Sequence, residues 1–401
     1  MKLLITAIIC STLICCGGTR SQKQLEPKSS LKLGSERLDE LLPLLHNKKV
    51  GIVANQSTFI KNTHLVDSLL SLNINITKIF CPEHGFRGEG EAGEHIESHI
   101  DSQTGLPVIS LYGSHKKPTH QDFSELDIVI FDMQDVGVRF YTYISTMHYV
   151  METCAEMNLP LVILDRPNPN GFYVDGPVLD TNYRSFVGMH PVPLVHGMTI
   201  GEFAKMINGE GWLNNSMICD ITIIPCLNYT HDSIYNLPIR PSPNLPNQTS
   251  IYLYPSLGFF EGTVVSIGRG TDFPFQVFGH PSFKAMEFNF IPESRPGASK
   301  NPPLLGETCL GVDLRDYSTD YFLELSQVNL GWLLFAYQSF PQKDKFFNSY
   351  FTVLAGSKIL REQIELGVDE QTIRDSWKSE LEKFLVIRSK YLIYPDFSKQ
   401  N

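Results

Sequence analysis

Apolar positions along this chain follow two rhythms. VGIVA at 50–54, INITKIF at 74–80, LPVISLYG at 106–113, LDIVIFDMQDVG at 126–137, LPLVILDRPNPNG at 159–171 and ICDITIIPC at 218–226 each open on or contain a short, nearly unbroken apolar run. Such runs read as strands buried on both faces. Between them the spacing lengthens to that of helices, near Leu38 to Leu45, in THLVDSLLSL, from Tyr143 to Met157, and in TIGEFAKMINGEGWL behind a Thr199 cap. Strands alternating with helices predict an α/β fold, a parallel sheet with helices on both faces.

The polar residues gather just past the strands. Asn55 and Gln56 follow the first, Glu83 and His84 the second, Asp132 to Arg139 the fourth, and Asp165 to Asn170 the fifth. In open α/β sheets ligands bind beyond the carboxyl ends of the strands, so four loops point to one site. The proline-rich segment at 237–262, LPIRPSPNLPNQTSIYLYPSLGFFEG, reads as a stiff lining that leads to a second domain. Residues from about 280 to 397 mix strands and helices and end in an amphipathic run.

Composition narrows the function. The chain has 401 residues, 42% hydrophobic and 19% charged, which suits a globular protein of two domains. Its net charge is −10 and no basic stripe occurs, which argues against nucleic acid. GxSxG, HExxH, a P-loop and a GxGxxG after the first strand are all missing, so no nucleotide or other cofactor is expected. Five cysteines lie beyond residue 16 (Cys81, Cys154, Cys219, Cys226 and Cys309), with no CxxC and no zinc spacing. They read as small core residues, with a disulfide permitted but not required.

The N-terminus, MKLLITAIICSTLICCGGTRSQ, reads as an export signal. Lys2 supplies the positive end, and Leu3 to Ile14 is too short to span a membrane as a mature helix. Leu13-Ile14-Cys15-Cys16-Gly17 resembles a bacterial lipobox with Cys16 as the lipidated residue, and a polar tether follows. Signal and tether start occupy residues 1–22. The expected location is export and anchoring to a membrane through the lipid, facing the periplasm.

The densest chemistry lies in CPEHGFRGEGEAGEH at 81–95. Glu83, at a strand end, suits a general acid whose pKa burial would raise, or else pairs with Arg87 and fixes the loop. Glu91 is one candidate for a second carboxylate. His84, His95 and His99 form a weak candidate metal set among glycines, and no metal is assigned. Further on, Arg139 can fork onto a carboxylate or pair with Asp132 or Asp135.

In order, VGIVANQS, CPEHGFRGEGEAGE, FDMQDVGVRFYTY, LDRPNPNG, VDGPVLD, PVPLVHGMTIGE, PSPNLP and YPSLGFFEGTVVSIGRGTDFPFQVFG resemble the NamZ-type exo-β-N-acetylmuramidases over nearly the whole chain after the tether. The resemblance implies removal of terminal N-acetylmuramic acid from the non-reducing end of peptidoglycan fragments. It implies a Rossmann-like catalytic domain over 33–255, a C-terminal α+β domain over 256–397, and a cleft between them. It maps the family's proposed catalytic glutamate to Glu83. The chemistry of glycoside hydrolysis adds Asp135 or Glu91 as the second carboxylate, unless the substrate's acetamido group replaces it. The expected sugar-binding residues are Asn55, His84, Arg87, Arg139, Tyr143, Arg166, Asn168 and Arg269, with Arg139 as a clamp for the lactyl carboxylate. The rival reading is a non-catalytic lipoprotein that binds cell wall.

Overall fold

The computed structural model describes residues 30–83, 85–88 and 98–398. In chain order its strands are β1 Val50–Ala54, β2 Phe59–Ile60, β3 Thr63–His64, β4 Ile76–Cys81, β5 His99–Ile100, β6 Pro107–Ser110, β7 Ile128–Asp132, β8 Leu161–Leu164, β9 Ile221–Ile224, β10 Val277–His280, β11 Phe288–Phe290 and β12 Cys309–Asp313. The helices are α1 Leu38–Leu45, α2 Leu65–Ser71, α3 His120–Phe123, α4 Tyr143–Met157, α5 Ile200–Gly209, α6 Gln248–Leu257, α7 Thr319–Leu325, α8 Gly331–Ser339, α9 Tyr350–Ala355, α10 Ile359–Glu365 and α11 Glu370–Ser389.

A seven-stranded sheet runs in the order β5-β6-β4-β1-β7-β8-β9, parallel except for β5 at one edge. β1 is central and buried at all its residues, pairing Val53 with Phe80 on one side and with Phe131 on the other. Alternation along each strand divides the core. Val53, Phe131 and Ile163 pack on the face covered by α4 and α5, while Ile52, Ile130 and Val162 pack on the face covered by α1 and α2. This is the α/β architecture expected from the apolar runs. A three-stranded antiparallel sheet, β10-β12-β11, and helices α7 to α11 follow. The chain from Leu31 onward is one compact unit, and a single apolar cluster joins Val53 and Met147 to Phe278, Leu333 and Phe351.

Local signals set several boundaries. Thr199 accepts from the Glu202 amide, and Glu202 returns the bond to Thr199, closing a capping box at the start of α5. The proline-rich lining holds a helix that its composition conceals. Asn247 and Ser250 form a capping box for α6, and Pro255 lies inside it. Proline cannot donate to the carbonyl four residues back, and here Asn170 Nδ2 donates to that Ile251 carbonyl at 3.3 Å. The helix therefore tolerates its proline because a loop beyond β8 satisfies the orphaned acceptor. All five cysteines past the tether are buried thiols. Among the described residues no helix is long and apolar enough to cross a membrane.

Candidate active site

The carboxyl ends of the parallel strands open onto a cleft of about 710 Å³. Glu83 stands on its wall, two residues past β4, in a turn closed by the Gly85 amide donating to the Pro82 carbonyl at 3.1 Å. Tyr112, just past β6, donates its hydroxyl to Glu83 Oε1 at 3.0 Å. Burial first, then the Glu83 charge, raises the Tyr112 pKa, so its proton stays on the ring oxygen at neutral pH.

The other wall comes from after α6. A tight turn, Gly258–Gly262, carries Glu261, and Gly262 lets it press on α9, since a Cβ there would fall 2.4 Å from Phe351 Cα. Glu261 Oε1 accepts from Arg269 Nε at 3.0 Å and Nη2 at 2.6 Å. The Arg269 guanidinium also lies 5.0 Å from the Phe275 ring centroid. Burial alone would lower its pKa, but the Glu261 and Glu83 carboxylates outweigh that and hold it above the ordinary value. Tyr141, Tyr143, Tyr254, Phe186 and Tyr350 complete an aromatic lining, with Lys116 over Phe186 at 4.7 Å. Ring faces among hydrogen-bonding groups and two carboxylates suit a saccharide.

Of the residues singled out in sequence, Glu83, Tyr143 and Arg269 line this cleft. The others that are described do not. Asn55 is buried, donates to the Tyr143 hydroxyl at 2.7 Å and accepts from Ser57, so it steadies a cleft residue. Arg87 grips Asp101 through Nε at 3.2 Å and Nη2 at 3.0 Å and reaches Asp67 at 3.4 Å, which fixes the loop. Burial would raise the Asp101 carboxyl, but the bonds from Arg87 and Thr104 win and bring it down to about 2.

Arg166 is sealed against Asp132, with Nε to Oδ1 at 2.5 Å and Nη2 to Oδ2 at 2.8 Å. Asn168 is buried with Nδ2 on the Met198 carbonyl, packed so closely on Gly137 that a Cβ there would meet its side chain at 2.2 Å. Asp135 is also buried, accepts from the Gly137 amide at 2.6 Å, and is pushed up to about 7 by burial.

Arg139 corrects the sequence expectation most sharply. It is fully buried and forms neither the carboxylate clamp nor the ion pair with Asp132 or Asp135. Nη1 donates to the carbonyls of Pro177 and Val192, and Nη2 to those of Leu354 and Ala355. Four carbonyls use up both Nη groups, and the remaining donor, Nε, is buried away from the cleft surface.

His84, Glu91, His95 and Cys16 lie outside the described residues. His99 is an exposed residue of the edge strand β5, and among the described residues no group of three or more His, Cys, Asp or Glu could hold a metal. Sequence reasoning passed over Glu261, Tyr112 and Tyr350. Glu261 sits in an aromatic run, GFFEG, whose only signal was its proximity to the SIGRGTD arginine.

Two family models match the chain. The N-terminal model of exo-β-N-acetylmuramidase NamZ matches residues 50–249, and the C-terminal model matches 252–394. The peptidoglycan β-N-acetylmuramidase NamZ of Bacillus subtilis (strain 168) is 39% identical over 398 residues, covering 93% of this chain and 94% of that protein. A crystal structure of a DUF1343 family protein from Bacteroides fragilis NCTC 9343 superposes with a TM-score of 0.86 at 48% identity, covering 92% of this chain and all of that one. A second such protein from the same organism gives a TM-score of 0.75 at 29% identity over the same shares.

Proposed function

The chain belongs to the NamZ family of exo-β-N-acetylmuramidases, and from that premise we propose how its cleft and its termini serve the reaction. It is a glycoside hydrolase that releases terminal N-acetylmuramic acid from the non-reducing end of peptidoglycan fragments.

Glu83 is the general acid that protonates the leaving glycosidic oxygen. The observation that carries this reading is its position on the cleft wall past β4, with Tyr112 holding Oε1. A carboxylate so held keeps one orientation toward the scissile bond. Asp135, facing the Gly137 amide, is better suited to shaping the loop behind Tyr143 than to attacking the sugar. The acetamido oxygen of the substrate can supply the second group in its place. The catalytic part over 33–255 and the cleft-completing part over 256–397 draw support from two family models that match 50–249 and 252–394.

We also propose that the chain is exported and held at a membrane by a lipid on Cys16, facing the periplasm. The charged start, the apolar Leu3 to Ile14 stretch, the lipobox-like Leu13 to Cys16 and the polar tether support this. Radiolabelled palmitate incorporated by the wild type and absent from Cys16→Ala is the expected result.

The catalytic assignment is tested with a chromogenic β-N-acetylmuramic acid glycoside. Glu83→Gln should lose roughly 10²–10⁴-fold in kcat with its fold intact. A variant that keeps wild-type turnover would remove Glu83 from the mechanism.

A further inference from the structure

N-acetylmuramic acid differs from N-acetylglucosamine by one ether-linked lactyl group on O3. An enzyme that prefers the first must meet a carboxylate that the second lacks. Burying that carboxylate in a cleft costs free energy unless a cation and donors receive it. Arg139 cannot do so, because it is fully buried off the cleft lining with both Nη groups on four carbonyls.

The described lining residues of the cleft include two cations, Lys116 and Arg269. We propose that Arg269 recognises the lactyl carboxylate of N-acetylmuramic acid, and that Glu261 is the positioning residue that presents it. This rests on the muramidase reading above.

The geometry separates the two cations. Glu261 occupies one edge of the guanidinium, taking Nε and Nη2 on a single oxygen. The end edge, Nη1 with the remaining Nη2 proton, meets no protein acceptor among the described residues. That edge matches the two oxygens of a carboxylate, which a lysine cannot do. The Arg269 side chain is only 17% exposed, so its charge acts in a weakly screened setting. Tyr350, beside it on the lining, keeps its hydroxyl proton, since burial pushes that group up to about 12.

Position agrees as well. O3 lies on the same ring as the scissile anomeric carbon, two ring carbons away, so its carboxylate must be received within one sugar of the acid. Arg269 is near enough to Glu83 to feel that charge. Glu261 has a second effect. Neutralised by it, Arg269 is a poor trap for stray anions and favours a carboxylate that arrives already fixed to a stacked ring.

The test compares a chromogenic N-acetylmuramic acid glycoside with its lactyl methyl ester, which keeps the ring and removes the charge. Wild type should favour the acid. Arg269→Gln should lose about a hundredfold in kcat/KM on the acid, mainly through KM, and much less on the ester, so the preference disappears. Glu261→Gln should weaken the preference in the same direction, and Lys116→Ala should keep it. An intact preference in Arg269→Gln, equal losses on acid and ester, or a preference abolished by Lys116→Ala would each overturn the assignment. A wild type inactive on both substrates would overturn the muramidase reading and the assignment with it.

Discussion

The Tyr112 hydroxyl donates to Glu83 Oε1 at 3.0 Å, and both residues line one cleft. The two arrive from adjacent parallel strands, since β4 pairs with β6. Their alignment is therefore set by sheet register. A hydrogen bond to a charged group contributes about 1.5–3 kcal/mol. Tyr112→Phe should cost roughly tenfold to a hundredfold in kcat with little change in thermal midpoint. Steady-state kinetics beside a melting curve would check this, and unaltered kcat would show that the bond does not orient the acid.

Arg139→Met should be a stability mutation. It strips donors from four buried carbonyls, and each unsatisfied group costs about 1–3 kcal/mol. A loss of at least ~3 kcal/mol is expected in urea unfolding. Preference for the lactyl acid over its ester should survive in whatever protein folds. Burial pushes this guanidinium down to about 9, which still leaves it protonated at neutral pH.

Arg166→Ala should destabilise the sheet by about 3–5 kcal/mol, the usual consequence of leaving a buried carboxylate without its partner. Asp132 ends β7 and is fully buried, and Arg166 supplies both donors that receive its charge. Arg166→Lys should recover only part of this loss, because an ammonium cannot span both oxygens. Denaturant midpoints for the two variants provide the comparison.

The Asp135 and Asp165 contribution to stability should fall as pH rises from about 4 to about 7, against an opposite slope from His64, His190 and His196, whose imidazoles burial holds below their ordinary value. Burial raises Asp135 to about 7 and Asp165 to about 6. Across that window these two folded carboxyls hold protons that their unfolded counterparts have released, so their share favours unfolding as pH rises. Below it both states are protonated, and above it the full penalty is present. Asp135→Asn keeps an acceptor for the Gly137 amide and removes one of the two titrations. Its stability relative to wild type should therefore rise over the same range, as thermal midpoints of both proteins at pH 4.5 and pH 7.5 would report.

The sheet was legible because β1, β4, β7, β8 and β9 are short apolar runs ending in polar loops, and that pattern alone places the ligand side. Thr199 announced α5 as its cap, and the structure adds the Glu202 that closes the box. Arg139 and Arg166 were misplaced for a physical reason. A sequence shows that an arginine lies in a polar loop, but not whether it turns toward the cleft or back beneath it. Asn168 was ambiguous in the same way. α6 was hidden because Pro255 forbids a helix unless something satisfies the Ile251 carbonyl, and the Asn170 that does so lies 81 residues away. Glu261 carried no periodic or motif signal among its aromatic neighbours.

Arg139 takes carbonyls from Pro177 and Val192 on one side of residue 250, and from Leu354 and Ala355 on the other. Glu83 lies on the first stretch of chain, and Glu261 with Arg269 on the second. A gene severed near residue 250 would therefore encode two fragments, each inert alone. Co-expressed, they could regain turnover only by rebuilding the shared apolar cluster and the carbonyl cage of Arg139 across the cut, which makes fragment complementation a direct genetic readout of the seam.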